Sequence, residues 1–155
     1  MVIWPQSGMD EMCSQYSEKL PVWQRITLLF IGLGGLAVFA VALSLKPDPR
    51  GFGTHQQLGL PPCSFYFMFE TPCPSCGGTT SFSHFVRGQW VSSINANPAV
   101  FAVAMLTAAA IPWSLFCSWR GELYLIQQPS IFFTWILFAI CLFATLVWVC
   151  RILVN

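Results

Sequence analysis

Three long apolar runs constrain the fold of this 155-residue chain more than any other feature. They cover residues 26–45, 98–119 and 131–150, none contains a charged residue, and basic residues stand at their ends. About 20 apolar residues are what an α-helix needs to cross the hydrocarbon core of a bilayer. Because no water is available there, the backbone must satisfy its own hydrogen bonds, and a helix does so. We therefore predict an all-α integral membrane protein with three transmembrane helices.

The low charge of the chain argues against several classes of function. Only 8% of its residues are charged and 55% are hydrophobic, whereas soluble domains are about 25% charged. Seven basic and six acidic residues form no clustered basic face, so we expect no nucleic-acid partner. The runs also lack the intramembrane ionisable groups that pumps and coupled transporters use. The lipid bilayer and other membrane proteins are the partners that remain, and no residue set typical of hydrolytic enzymes is present.

The sequence divides into a polar N-terminal tail, residues 1–24, and a single membrane domain, residues 25–155. The loop of residues 46–97 joins the first two spans and contains most of the cysteines outside the apolar runs. The first run is too long for the apolar region of a cleaved signal peptide, and no small-residue cleavage site follows it. Three basic residues on one side of the membrane and four on the other leave the orientation open under the positive-inside rule.

The second half of the loop shows helical periodicity. From Gly77 to about residue 94, apolar side chains recur at helical spacing. These positions are Phe82, Phe85, Val86, Trp90 and Ile94. We predict one amphipathic helix lying in the plane of the membrane interface. Asn97 and Pro98 then end the loop and open the second span, with the proline at a first-turn position that helices tolerate.

Residues 73–79 read Cys-Pro-Ser-Cys-Gly-Gly-Thr, and Cys63 stands ten residues before this segment. Two thiols one helical turn apart converge on one point, which suits both metal binding and redox chemistry. Cys63, Cys73 and Cys76 together with His84 match a Cys3His zinc set. His84 follows Cys76 by eight residues, about 12 Å along one helix, so His55 is the other candidate for the fourth ligand.

Two alternatives to a zinc site remain open for the same cysteines. A helix N-terminus next to Cys76 is expected to lower the pKa of its thiol, which would favour a membrane thiol–disulfide oxidoreductase. The strand–helix–strand pattern of a thioredoxin-like domain is absent, however. The leading interpretation is therefore non-enzymatic: a structural or partner-binding membrane subunit whose loop is pinned by these cysteines. Arg87 is expected to anchor the loop at lipid phosphates or to pair with Glu70.

The order of these motifs resembles the DUF2752 family of small bacterial multi-pass membrane proteins, which have no assigned function. The resemblance covers roughly residues 58–118. It rests on Cys63, the Cys-Pro-Ser-Cys-Gly-Gly-Thr segment, the Arg-Gly-Gln-Trp at 87–90 and the Asn-Pro at 97–98. It implies a multi-pass protein of the bacterial cytoplasmic (inner) membrane. The motif residues that it marks are Gly77, Thr79, Arg87, Gly88, Asn97 and Pro98.

This chain departs from the family pattern at two positions. Thr80 stands where the family usually has arginine, and Gln89 replaces a common acidic residue. If the usual arginine binds an anion such as phosphate or a carboxylate, its replacement alters the function in this chain.

Overall fold

The computed structural model describes residues 19–69, 73–123 and 129–154, and within these ranges it contains helices and no strand. Most of the predicted N-terminal tail, and Glu70 as a partner for Arg87, lie outside the described residues. The helices are α1 (Val22–Ser44), a 3-10 helix (Thr54–Leu58), α2 (Ser64–Phe69), α3 (Gly78–Phe85), α4 (Trp90–Ala96), α5 (Pro98–Arg120) and α6 (Pro129–Val154).

Three of these helices, α1, α5 and α6, are long and apolar enough to cross a membrane. Helices α1 and α5 have 23 residues each, or about 35 Å at 1.5 Å per residue. In α6 the apolar stretch is Ile131–Cys150. The predicted all-α fold with three candidate spans is therefore confirmed.

Helices α1 and α5 pack as a close antiparallel pair. A Cβ atom at Gly32 would lie 2.6 Å from Leu115 Cδ2, and one at Gly35 would lie 2.7 Å from Ile111 Cγ1. As the residue number increases along α1, the number of the contacting residue on α5 decreases, so the two helices run antiparallel. Small residues at such a contact let helix backbones approach closely where lipid gives no hydrophobic driving force.

The prediction of a single amphipathic helix over residues 77–94 is wrong, because this segment forms the two short helices α3 and α4. The first of them ends at Phe85, and the chain then turns at Gly88, which lies in the left-handed region with φ of 73°. The amide of Gln89 donates back to the carbonyl oxygen of His84 at 3.0 Å. The polar sides of the two helices face each other. Ser81 Oγ lies 2.9 Å from Ser93 Oγ, and both residues are fully buried.

Burial therefore follows hydrogen bonding and not hydrophobicity in this part of the chain. Trp90 and Val91 are 60% and 73% exposed, while Thr80 and Ser83 have no exposed surface. A buried hydroxyl must find a partner inside the protein, and these hydroxyls do. The hydroxyl-rich sides of α3 and α4 thus form a polar core at the carboxyl end of α1 and the start of α5.

Candidate metal centre

The cysteine segment folds as two consecutive turns that lead into α3. The amide of Cys76 donates to the carbonyl oxygen of Cys73 at 3.0 Å, and the amide of Gly78 donates to that of Ser75 at 2.9 Å. Gly77 has φ of 83°, and a Cβ atom there would lie 2.7 Å from the carbonyl oxygens of both Ala96 and Gly51. Only glycine fits this conformation and this space. The predicted motif glycine thus lets the turn lie between two backbone segments.

Three sulfur atoms meet at this turn. The Sγ atoms of Cys63, Cys73 and Cys76 all lie within 4.8 Å of one another, and those of Cys63 and Cys73 are 3.7 Å apart. The three thiols are free and half-buried. In a tetrahedral zinc site with Zn–S bonds of about 2.3 Å, sulfur ligands lie about 3.8 Å apart. The cluster therefore has the spacing of a metal-ligand set.

The two cysteines of the turn ionise differently. Burial raises the pKa of Cys76 to about 12, and the neighbouring Cys73 adds to this through its hydrogen bond and its negative charge. At Cys73 burial also opposes ionisation, but hydrogen bonds with Ser75, Cys76 and Cys63 outweigh it, so the pKa of Cys73 is lowered. The first thiolate thus forms on Cys73. The sequence-based expectation of a lowered pKa at Cys76 is wrong, because a buried thiol beside a thiolate resists a second charge.

The cluster opens into a cleft of about 320 Å³ whose walls include His55, Tyr66 and the three cysteines. His55 is therefore the histidine that shares this cleft with the sulfurs. His84 is not part of the sulfur cluster. Its Nδ1 atom lies 2.6 Å from Oε1 of Gln89. Thr79, another predicted motif residue, lines the cleft as well.

Asn97 connects the cysteine turn to the second span. Its Oδ1 atom accepts hydrogen bonds from the amides of Ala99 at 3.1 Å and Val100 at 3.2 Å, which caps the N-terminus of α5. Its Nδ2 atom donates to the carbonyl oxygens of Pro74 at 3.1 Å and Cys76 at 3.0 Å. Pro98 follows at the first helical turn, as predicted. One buried side chain thus holds both the helix start and the sulfur-bearing turn.

Arg87 connects α3 to the end of the first span. Its guanidinium donates to the carbonyl oxygens of Ala42 at 3.1 Å, Leu43 at 2.7 Å and Leu45 at 2.6 Å. The Oγ atom of Ser83 donates to the carbonyl oxygens of Ala42 and Leu45 as well. The last carbonyls of a helix lack partners within it and carry partial negative charge. Arg87 and Ser83 therefore cap the carboxyl end of α1, which the sequence alone did not reveal.

A second arginine caps the other long helix from the opposite end of the pair. Arg25 Nε donates to the carbonyl oxygen of Ser118 at 3.0 Å, and Ser118 Oγ donates to that of Arg25 at 2.8 Å. Helices α1 and α5 are thus bonded directly to each other at this end. At the other end, Arg87 joins the last carbonyls of α1 to the polar core that carries the cysteine turn.

Thr80 belongs to a chain of hydroxyl groups. Its Oγ1 atom lies 2.8 Å from Oγ1 of Thr54, which also accepts a hydrogen bond from the amide of Asp48 at 3.0 Å. Both threonines are fully buried. The short side chain of Thr80 thus ties the start of the 3-10 helix to α3.

One of the comparisons with known proteins, that with protein-family models, agrees with the sequence motifs. The model of the family DUF2752, described as a protein of unknown function, matches residues 63–111. This range begins at the first cysteine of the cluster, includes Arg87 and Asn97, and ends within α5. No curated protein and no solved structure matches the chain.

Proposed function

We propose the function of this chain from the site itself, since the family whose model it matches, DUF2752, is described as being of unknown function. We propose that it is a multi-pass membrane subunit in which a zinc ion bound by Cys63, Cys73 and Cys76 fixes the loop between the first two spans. The ion would make this loop a rigid surface for another membrane protein. The resemblance to bacterial proteins supports a place in a bacterial cytoplasmic membrane, which cell fractionation tests.

The observation that carries this proposal is the convergence of three free thiols. Their sulfurs lie within 4.8 Å of one another, and the Cys63–Cys73 distance of 3.7 Å is close to the spacing of zinc-bound thiolates, about 3.8 Å. Thiolate ligands favour Zn²⁺ and Cu⁺ over harder cations. A bound cation also lowers the pKa of coordinating thiols, so it would offset the burial and the charge repulsion that raise the pKa of Cys76.

The position of the cluster supports a structural role for the ion. Cys63 precedes α2, whereas Cys73 and Cys76 precede α3, so one ion would join two segments of the loop. The Cys76 carbonyl is bonded to Asn97 at the start of α5. An ion at the sulfurs would therefore fix the loop relative to the membrane spans as well.

The test is the zinc content of the full-length protein, purified in detergent micelles under reducing conditions. We expect stoichiometric zinc in the unmodified chain and its loss in Cys63→Ser, Cys73→Ser and Cys76→Ser. Cys141→Ser is the matched control, since Cys141 is exposed on α6, and this variant should keep its zinc. A protein that neither contains zinc nor takes it up on titration would refute the proposal.

A specific observation also favours thiol–disulfide exchange as a second candidate. The Cys73 thiol has a lowered pKa and has the Cys63 sulfur 3.7 Å away. In this reaction the Cys73 thiolate attacks a disulfide in a substrate protein, forming a mixed disulfide and releasing one substrate thiolate. The Cys63 thiolate then attacks Cys73 Sγ, which leaves a Cys63–Cys73 disulfide and releases the second substrate thiolate.

The two candidate functions can be distinguished by whether cysteine variants accumulate mixed disulfides with other proteins. A Cys63→Ser, Cys76→Ser double variant removes both resolving thiols, so it should accumulate mixed disulfides with other proteins if exchange occurs. Cys73→Ser should accumulate none. Absence of mixed disulfides from the double variant, together with bound zinc in the unmodified chain, would leave metal binding as the function.

A further inference from the structure

We infer that His55 is the fourth ligand of the metal site and binds through its Nδ1 atom, so that the site is Cys3His. This inference rests on the proposed zinc site and adds a residue to it. It replaces the His84 of the sequence-based ligand set. Three observations carry it: the place of His55 in the cleft, the hydrogen bond that sets its tautomer, and the anchoring of the helix that carries it.

His55 lies on the 3-10 helix Thr54–Leu58 and lines the same cleft as the three cysteines. Its neighbour Thr54 is fully buried and bonds through its hydroxyl to Thr80 on α3. Because α3 begins two residues after Cys76, this bond sets the position of the 3-10 helix relative to the sulfur-bearing turn. The half-buried side chain of His55 therefore lies at the wall of the cleft, on a backbone that is tied to that turn.

The second ring nitrogen of His55 already has a partner. Its Nε2 atom lies 3.2 Å from the carbonyl oxygen of Pro61. A carbonyl oxygen can only accept, so Nε2 carries the proton and Nδ1 keeps its lone pair. Histidines that bind metals usually donate their other N–H to a carbonyl or carboxylate in this way. Pro61 stands two residues before Cys63, so the same bond ties the imidazole to the segment of the first sulfur ligand.

His55 is not in the group of cysteines whose ligand atoms lie within 4.8 Å of one another, so ligation requires its side chain to shift toward the sulfurs. The helix that carries it has glycines in the left-handed region on either side, Gly53 with φ of 94° and Gly59 with φ of 76°. Such residues change backbone angles at low cost. By contrast, His84 has its Nδ1 atom bonded to Gln89 and does not line the cleft.

Cobalt substitution tests the inference, because Co²⁺ reports the ligands of a tetrahedral site by its absorption. The full-length protein in detergent micelles is titrated with Co²⁺ as the unmodified chain, His55→Ala, His55→Cys and the matched control His84→Ala. We expect His55→Ala to weaken cobalt binding by about tenfold or more and to shift the ligand-field bands while the thiolate charge-transfer bands remain. His84→Ala should match the unmodified chain.

His55→Cys gives a result that misfolding cannot imitate. A fourth thiolate should restore binding and add charge-transfer intensity. An unchanged spectrum and affinity in His55→Ala, or weakened binding in His84→Ala alone, would overturn the assignment of His55 and leave the three-cysteine site standing. Failure of the unmodified chain to bind cobalt would instead overturn the metal site itself.

Discussion

Asn97 caps the N-terminus of α5 and also holds the cysteine turn, and two different substitutions should separate these roles. Its side chain makes four hydrogen bonds, two to amides that open α5 and two to carbonyls of the cysteine turn. It is 1% exposed, so water cannot take over any of these bonds. Asn97→Ala removes all four. Asn97→Ser keeps a good helix cap but is too short and lacks the amide donors that reach Pro74 and Cys76.

The expected cost follows from these contacts. Loss of an N-cap costs about 1 kcal/mol, and each lost buried hydrogen bond costs about 1 kcal/mol, more where a carbonyl is left without a partner. We therefore expect Asn97→Ala to lower the free energy of unfolding by about 3 kcal/mol. Asn97→Ser should lose about 2 kcal/mol, since only the bonds to the turn disappear.

Equilibrium unfolding in detergent micelles, followed by circular dichroism, measures these losses in stability. A zinc titration measures how well the cysteine turn is held. Both variants should bind zinc more weakly than the unmodified chain, because the turn that carries Cys73 and Cys76 is released in each. The matched control is Asn95→Ala, two residues earlier and exposed, which should stay within about 0.5 kcal/mol. If Asn97→Ala were as stable as Asn95→Ala, Asn97 would not be what holds the turn against α5.

Three further predictions concern the carboxyl end of α1 and the cysteine turn. Arg87→Met should lower the free energy of unfolding by about 2–3 kcal/mol, because it strips charged donors from the last carbonyls of α1, and Arg87→Lys should recover only part of this loss. Gly77→Ala should cost more than Gly88→Ala when unfolding is compared, because both have positive φ but only Gly77 has carbonyl oxygens 2.7 Å from the added Cβ. Equal losses at the two glycines would contradict the proposed close approach. In reduced, chelator-treated protein, iodoacetamide should modify Cys73 before Cys76, with a rate that rises with pH as Cys73 ionises, since its pKa is lowered and that of Cys76 is raised to about 12. Peptide mapping that found Cys76 modified first would reverse this order.

The spans could be predicted because their signal is local. A run such as residues 26–45 is apolar throughout, and the cost of burying a bare backbone in lipid leaves only the helix. The same holds for the start of α5, since an asparagine before a proline is a common helix opening. Convergence of Cys73 and Cys76 also followed from their spacing.

The errors arose where distant segments decide the structure. The spacing of Phe82, Phe85 and Trp90 suits one helix, but the chain turns at Gly88 and buries its hydroxyls instead. No periodicity indicates that Ser81 will meet Ser93, or that Arg87 will reach the carbonyl of Leu45, 42 positions away. The order of ionisation of the two thiols likewise depends on burial and on the neighbouring sulfurs, which the motif alone does not contain.

The polar interior explains why these distant contacts matter. Among the described residues, seven of the eight largest fully buried side chains carry a hydroxyl or an amide, while large apolar side chains such as Phe30 and Leu137 are over 60% exposed. Lipid can cover such apolar surface in the spans, so burial inside the protein is needed chiefly by groups that lipid cannot satisfy. Asn97 bonds directly to the cysteine turn, and Thr80 bonds to Thr54, which precedes His55 in the wall of the cleft. The position of the turn that carries Cys73 and Cys76 is therefore set by this hydrogen-bonded core and not by the packing of the spans.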